Sequence, residues 1–172
     1  PGGGNFDVSK PGTISFWLKP VAWKQQKDFP DNETNPKLIK GGAHYCLLIF
    51  SGDKKGIYLN RCTSHIRGKS DVLQMLAPGT NMKLSGLRDY AFPMDQWTHI
   101  VLTWDPRTFL VYLNGKEFLR SSAARTADSG ELDKLVFGIY QGSAVDELVI
   151  FDKCLSPEEV GRYYEQLNPA KK

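Results

Sequence analysis

Residues 97–118 read WTHIVLTWDPRTFLVYLNGKEF, and residues 135–167 read LVFGIYQGSAVDELVIFDKCLSPEEVGRYYEQL. The first stretch holds two apolar runs separated by an Asp-Pro turn at Asp105–Pro106. The second run ends in an Asn-Gly turn at Asn114–Gly115. The other stretch holds two more strand-like runs, LVFGIY and VDELVIF, and then changes period. Ser156-Pro157-Glu158-Glu159 is a capping box with proline at the first helical position. Val160, Tyr163, Tyr164 and Leu167 then fall on one helical face. Short strands joined by turns and closed by one capped helix define this half of the chain. Such a helix is expected to cover one open end of a sandwich.

Working outward, GTISFWLKP (12–20) alternates into a strand, with Ile14, Phe16 and Leu18 facing one way and Ser15 and Trp17 the other. Residues 21–36 are polar and read as a long loop, and 37–41 as a short strand. HYCLLIF and IYLNRC flank the turn sequence SGDKKG and form a hairpin. DVLQMLA and NMKLSGL are further strand candidates in the less legible segment 63–96. Ile14, Phe16, Trp97, Ile100, Leu102, Trp104, Val111, Leu148 and Ile150 are the expected core.

At 172 residues the chain is long enough for one two-sheet core, so residues 1–172 form a single domain, with 1–11 and 168–172 expected to be flexible. No apolar run approaches the roughly 18 residues a membrane-spanning helix needs. The chain opens on Pro1 without a methionine, so it reads as a mature or trimmed fragment. Net charge is +3, unevenly spread: residues 20–69 hold nine Lys or Arg against four Asp or Glu. That excess reads either as solvated loop tips or as a surface for an anionic partner such as an acidic glycan.

GTISFWLKP, QWTHIVLTWD, FLVYLNGKEF and AVDELVIFDKCLSPEEV together resemble the opening, central and closing segments of the laminin-G-like jelly roll, within the concanavalin A-like lectin/glucanase superfamily. The resemblance implies an all-β fold: a two-sheet antiparallel jelly-roll sandwich with one C-terminal helix. It also implies an extracytoplasmic setting, and a fold that carries binding more often than catalysis. Family members begin with a further strand, for which Asn5 to Val8 are the candidates here.

Catalysis lacks its usual residues. Retaining glycosidases need two carboxyls about 5 to 5.5 Å apart. Asp146 and Glu147 are adjacent, so in a regular strand they point to opposite faces. By alternation Asp146 shares a face with Leu148 and Ile150, where an acid requires a donor or a cation. It is either a structural hydrogen-bonding group or a calcium ligand, with Asp7 and Asn5 as partners. Trp23 is a large ring in a polar loop, and with Tyr58 and Tyr90 it is a candidate sugar platform, packing being the alternative for each. Lys54, Lys55 and Arg61 supply basic contacts. Cys46 and Cys62 fall opposite one another if Phe50 pairs with Tyr58, leaving a disulfide and two reduced thiols both open. Asn32-Glu33-Thr34 is a glycosylation sequon.

The sequence therefore points to a non-catalytic carbohydrate-binding module from a larger extracytoplasmic protein, with a glycan partner, acidic sugars favoured, and calcium as the one cofactor considered. No nucleic-acid partner and no membrane insertion are expected. The alternatives are a structural or protein-interaction module without a sugar ligand and, behind it, a glycoside hydrolase.

Overall fold

A computed structural model describes residues 10–21, 23, 44–52, 55–64, 69–76, 84–105, 107–121, 134–137 and 142–167. Strand β1 spans Gly12–Pro20, β2 His44–Gly52, β3 Lys55–Ser64, β4 Lys69–Leu76 and β5 Leu84–Asp89. Strand β6 spans Thr98–Trp104, β7 Phe109–Leu113, β8 Lys116–Ser121, β9 Lys134–Phe137 and β10 Ser143–Phe151. Helix α1 spans Pro157–Leu167. The strands form two antiparallel five-stranded sheets, ordered β10-β1-β6-β7-β8 and β5-β4-β3-β2-β9. This is the expected all-β jelly-roll sandwich with one C-terminal helix.

The core lies between the sheets. Ile14, Phe16, Leu18, Ile100, Leu102, Trp104, Phe109, Val111 and Leu113 face Leu59 and Leu73 of the second sheet. Yet β6 and β7 are buried at every position, not every other one. The reason is the helix. It packs against the outer face of the first sheet, where Val160 joins Val101, Leu110, Tyr112 and Leu155 in a second apolar cluster. The helix therefore covers a sheet face, not an open end as expected. Its capping box forms as read: Ser156 Oγ accepts the Glu159 N–H at 3.2 Å, and the Ser156 N–H donates to Glu159 Oε2 at 2.8 Å. Thr13 Oγ1 donates to the Lys153 carbonyl at 2.8 Å and accepts the Leu155 N–H at 3.0 Å. That hydroxyl pins the approach to the helix onto β1.

Two expected core residues are not buried. Leu148 is 45% exposed and Ile150 is 40% exposed. They sit in β10, which has no strand on its outer side among the described residues. Trp97 is half-buried, just ahead of β6. The face assignment of Asp146 also changes. Ile150 pairs with the core-facing Ile14, whereas Asp146 pairs with Trp17, which faces the helix side. A bulge between these pairings shifts the register, with Glu147 at φ 48°. The cysteine register differs as well. Ile49, not Phe50, pairs with Tyr58, and a second shift leaves Cys46 opposite Asn60 and Cys62 opposite His44. The suggested strand at 37–41 lies outside the described residues.

Gly12 is required by close approach. A Cβ there would sit 2.3 Å from the Trp104 ring, which is itself fixed by a 2.8 Å hydrogen bond from Nε1 to the Lys10 carbonyl. Gly12→Ala is expected to cost about 1 to 3 kcal/mol through overpacking, measured by urea denaturation. Leu102→Ala, which opens a cavity in the same layer, is expected to cost about 2 to 5 kcal/mol.

Candidate functional site

The groove starts at a two-residue turn. Asn114 and Gly115 both take left-handed φ values, 49° and 76°, so that Leu113 pairs directly with Lys116. Asn114 ties this turn to β6: its N–H donates to the His99 carbonyl at 2.9 Å, and its Oδ1 accepts the His99 N–H at 2.9 Å. Gly115 admits the ring of Tyr164, since a Cβ there would lie 2.9 Å from Tyr164 Cδ1. The turn, the helix and the end of β5 thus enclose a groove of about 570 Å³. Its walls include Arg88, Tyr90, Asn114, Lys116, Phe118 and Tyr164.

The aromatic walls are held in place. Tyr90 stands edge-on to Phe92, with centroids 4.6 Å apart, and to Phe118 at 5.3 Å. The Arg88 guanidinium lies 4.8 Å from the Phe118 ring and donates to the Phe118 carbonyl at 2.8 Å. Glu117 also lines the groove, but its carboxylate is bound by Arg120 through contacts of 2.6 and 2.9 Å. The Arg120 hydrogen bond holds the Glu117 carboxyl below the usual range. Arg88 and Lys116, the basic residues of the groove wall, have no carboxylate partner among the described residues. A groove of this size, with ring edges and two cations, can hold a polar ligand carrying negative charge.

Behind the turn lies a buried imidazole. His99 is fully buried, its Nε2 2.8 Å from Ser15 Oγ and its ring packed on Trp17 at 4.9 Å and Tyr164 at 5.7 Å. Burial lowers its pKa from 6.5 to about 4. Its Nδ1 has no hydrogen-bond partner among the described residues.

The residues singled out in the sequence are only partly gathered here. Tyr90 lines the groove. Trp23 does not. It is buried in the core, with Nε1 donating to Ser143 Oγ at 2.6 Å and its ring edge-on to Phe92 at 5.4 Å. Neighbours cover that ring, so it is corrected from platform to packing residue. Tyr58 and Arg61 lie in β3, opposite Leu76 and Leu73, and Lys55 opens that strand. The side chains of these three, with Lys54, Asn5 and Asp7, lie outside the described residues. Asp146 is exposed on the β10 bulge, where its Oδ1 accepts the Glu147 N–H at 2.8 Å. The bulge brings Asp146 and Glu147 to the wall of one hollow, contrary to the opposite faces that regular alternation implies. Among the described residues no three His, Cys, Asp or Glu gather as a metal site. Asn5 and Asp7, the partners expected for Asp146 in a calcium site, lie outside the described residues.

Arg88, Lys116, Phe118 and Tyr164 carry no separate signal in the sequence. Tyr164 reads as part of the apolar helix face, and Asn114–Gly115 reads as turn chemistry. The only hint is the basic-aromatic run Lys116–Phe118 directly after a tight turn.

Comparison with known proteins agrees with the fold. A family model described as the concanavalin A-like lectin/glucanases superfamily, of laminin-G type, matches residues 1–161, and the chain belongs to that family. Adhesion G-protein coupled receptor D1 of Bos taurus is 32% identical over 92 residues, covering 49% of this chain and 10% of the receptor. The Homo sapiens receptor is 32% identical over 82 residues, covering 42% of this chain and 9% of the receptor. The chain thus matches about a tenth of the length of these relatives. Among solved structures, the ligand-binding domain of botulinum neurotoxin serotype D in complex with N-acetylneuraminic acid has a TM-score of 0.65 at 19% identity. It covers 96% of this chain and 38% of its own. Domain 4 of AbnA, an extracellular arabinanase from Geobacillus stearothermophilus, in complex with arabinotriose, has a TM-score of 0.60 at 19% identity. It covers 90% of this chain and 66% of its own. At that identity these likenesses show the fold alone. Among the described residues no helix is long and apolar enough to cross a membrane.

The His99 environment yields a prediction. The fold favours neutral imidazole, so the unfolded chain binds more protons between pH 6.5 and 4. Stability is whole above pH 6.5 and falls as pH drops through that window, by about 3 kcal/mol at most. Denaturation midpoints across this range are expected to slope less in His99→Gln than in the parent chain.

Proposed function

We propose that this domain is a non-catalytic carbohydrate-binding module of an extracytoplasmic protein, and that the Tyr90 groove takes acidic sugars. The observation that carries this reading is the pairing of fixed aromatic rings with two cations, Arg88 and Lys116, that no described carboxylate neutralises. Aromatic rings cover the C–H faces of pyranoses, and cations take up a carboxylate or sulfate. The likeness to a toxin domain crystallised with N-acetylneuraminic acid and to an arabinanase domain crystallised with arabinotriose supports a glycan ligand. The extracytoplasmic setting is supported by the partial match to the adhesion receptors.

Calorimetric titration with a sialylated oligosaccharide tests the reading. Tyr90→Ala and Lys116→Ala are each expected to weaken binding about tenfold, and rising salt is expected to weaken it further. Unchanged affinity in both variants would sink the site. Salt-insensitive binding of a neutral arabino-oligosaccharide would remove the acidic preference. Lys116 is the cleaner charge probe, because Arg88 also bonds the Phe118 backbone.

The protein-interaction alternative draws on Val145, Leu148 and Ile150, which are 40 to 45% exposed along β10. A glycan array without a single saturable hit would favour it. For the hydrolase alternative, purified protein is expected to release no reducing ends from polysaccharide. Release that disappears in Asp146→Asn would establish catalysis instead.

A further inference from the structure

Lys116, Glu117 and Phe118 are consecutive in β8, and all of them line the Tyr90 groove. A regular strand would turn the middle residue away from its neighbours. The pairing with β7 explains the exception. Tyr112 pairs with Glu117 and Val111 with Leu119, so Phe118 is an extra residue in the ladder. Such a bulge re-aims the side chains beside it. Here it sets a carboxylate into the wall that also holds Arg88 and Lys116. These two cations and one anion leave a single net positive charge on the lining. Arg120 holds the Glu117 carboxylate through contacts of 2.6 and 2.9 Å but stands outside the lining. Its side chain is 54% exposed against 36% for Glu117, so water screens the cation more than the acid it holds.

We infer that Glu117 is a specificity-determining residue of this groove: it favours sugars bearing a single carboxylate, a uronic or sialic acid, over those that carry a further sulfate. The inference rests on the acidic-glycan reading of the Tyr90 groove. One ligand carboxylate takes up the net positive charge of the wall through charge-assisted hydrogen bonds from Arg88 or Lys116. A second anion in the same groove meets Glu117 instead. Glu117 does not yield by taking a proton at neutral pH, because the Arg120 hydrogen bond holds its carboxyl below the usual range. It adds no attraction for the favoured ligand and acts by repelling the other. Arg120 is thereby a positioning residue, which keeps the acid ionised and in place.

Calorimetry of the whole chain at low salt, with two matched probes, tests this. The unsulfated chondroitin disaccharide carries one carboxylate, and its monosulfated form adds one anion. The parent chain is expected to bind the sulfated form about threefold more weakly. Glu117→Gln is expected to raise affinity for the sulfated form about tenfold and for the unsulfated form about twofold, which reverses the preference. Glutamine keeps an acceptor for Arg120, and an exposed ion pair adds little stability, so the melting temperature is expected to hold. Tighter binding of the sulfated form by the parent would overturn the inference. So would an equal gain for both probes in the variant, or no gain for either. In each of these cases the unsulfated probe still binds, and the glycan reading stands. If neither disaccharide nor a sialylated oligosaccharide binds parent or variant, the glycan reading falls and takes the inference with it.

Discussion

The central strands β6 and β7 of the first sheet are dry on both faces, and one helix of 11 residues does the outer covering. Its outer face is not purely apolar. Ser15, Trp17, His99, Thr103 and Tyr112 all stand on the sheet's outer face, and several of their polar atoms are sealed without a partner among the described residues. Sealing such atoms costs free energy that only a tightly docked cover can offset. The helix is accordingly fixed at its start by the capping box, by the Thr13 bridge and by the Lys153–Glu159 contact at 2.7 Å. Its far half then falls where Tyr164 and Leu167 wall the two cavities. The position of both cavities thus follows from how the sheet is covered.

Much of the fold was legible because local signals agreed with one another. The alternation in β1, the Asn114–Gly115 turn and the Ser156 capping box each depend on a few neighbouring residues, and each took its expected form. What alternation does not encode is which strand lies at an edge. Leu148 and Ile150 have the right period for a core, yet they are 45% and 40% exposed on a strand that ends its sheet among the described residues. Nor does alternation register a bulge. One residue, Glu147, moved Asp146 to the opposite face and placed two adjacent acids beside one opening. Likewise Trp23, in a stretch that reads as loop, is drawn into the core by a hydrogen bond to Ser143, 120 residues away.

The sites were less legible than the fold for a related reason. Binding surfaces here are assembled from ends of elements: Arg88 from β5, Asn114 from a turn, Tyr164 from the helix. Each has an ordinary local explanation, and only their convergence has chemical meaning. The convergence also separates charge. Arg88 and Lys116 stand on one side of the helix end, Asp146 and Glu147 on the other, although the chain as a whole carries only +3. Net charge therefore describes neither cavity.

The bulge in β10 has a consequence beyond ligand chemistry. Among the described residues β10 has no hydrogen-bonded neighbour on its outer side, and it exposes Val145, Leu148 and Ile150. Such an edge is a template on which another chain can add a strand. The kink at Glu147 breaks the template in the middle, and the adjacent pair of charges repels an identical edge approaching it. The exposed aliphatic side chains and the charged kink thus act in opposite directions along one strand, the first inviting a neighbouring strand and the second turning it away.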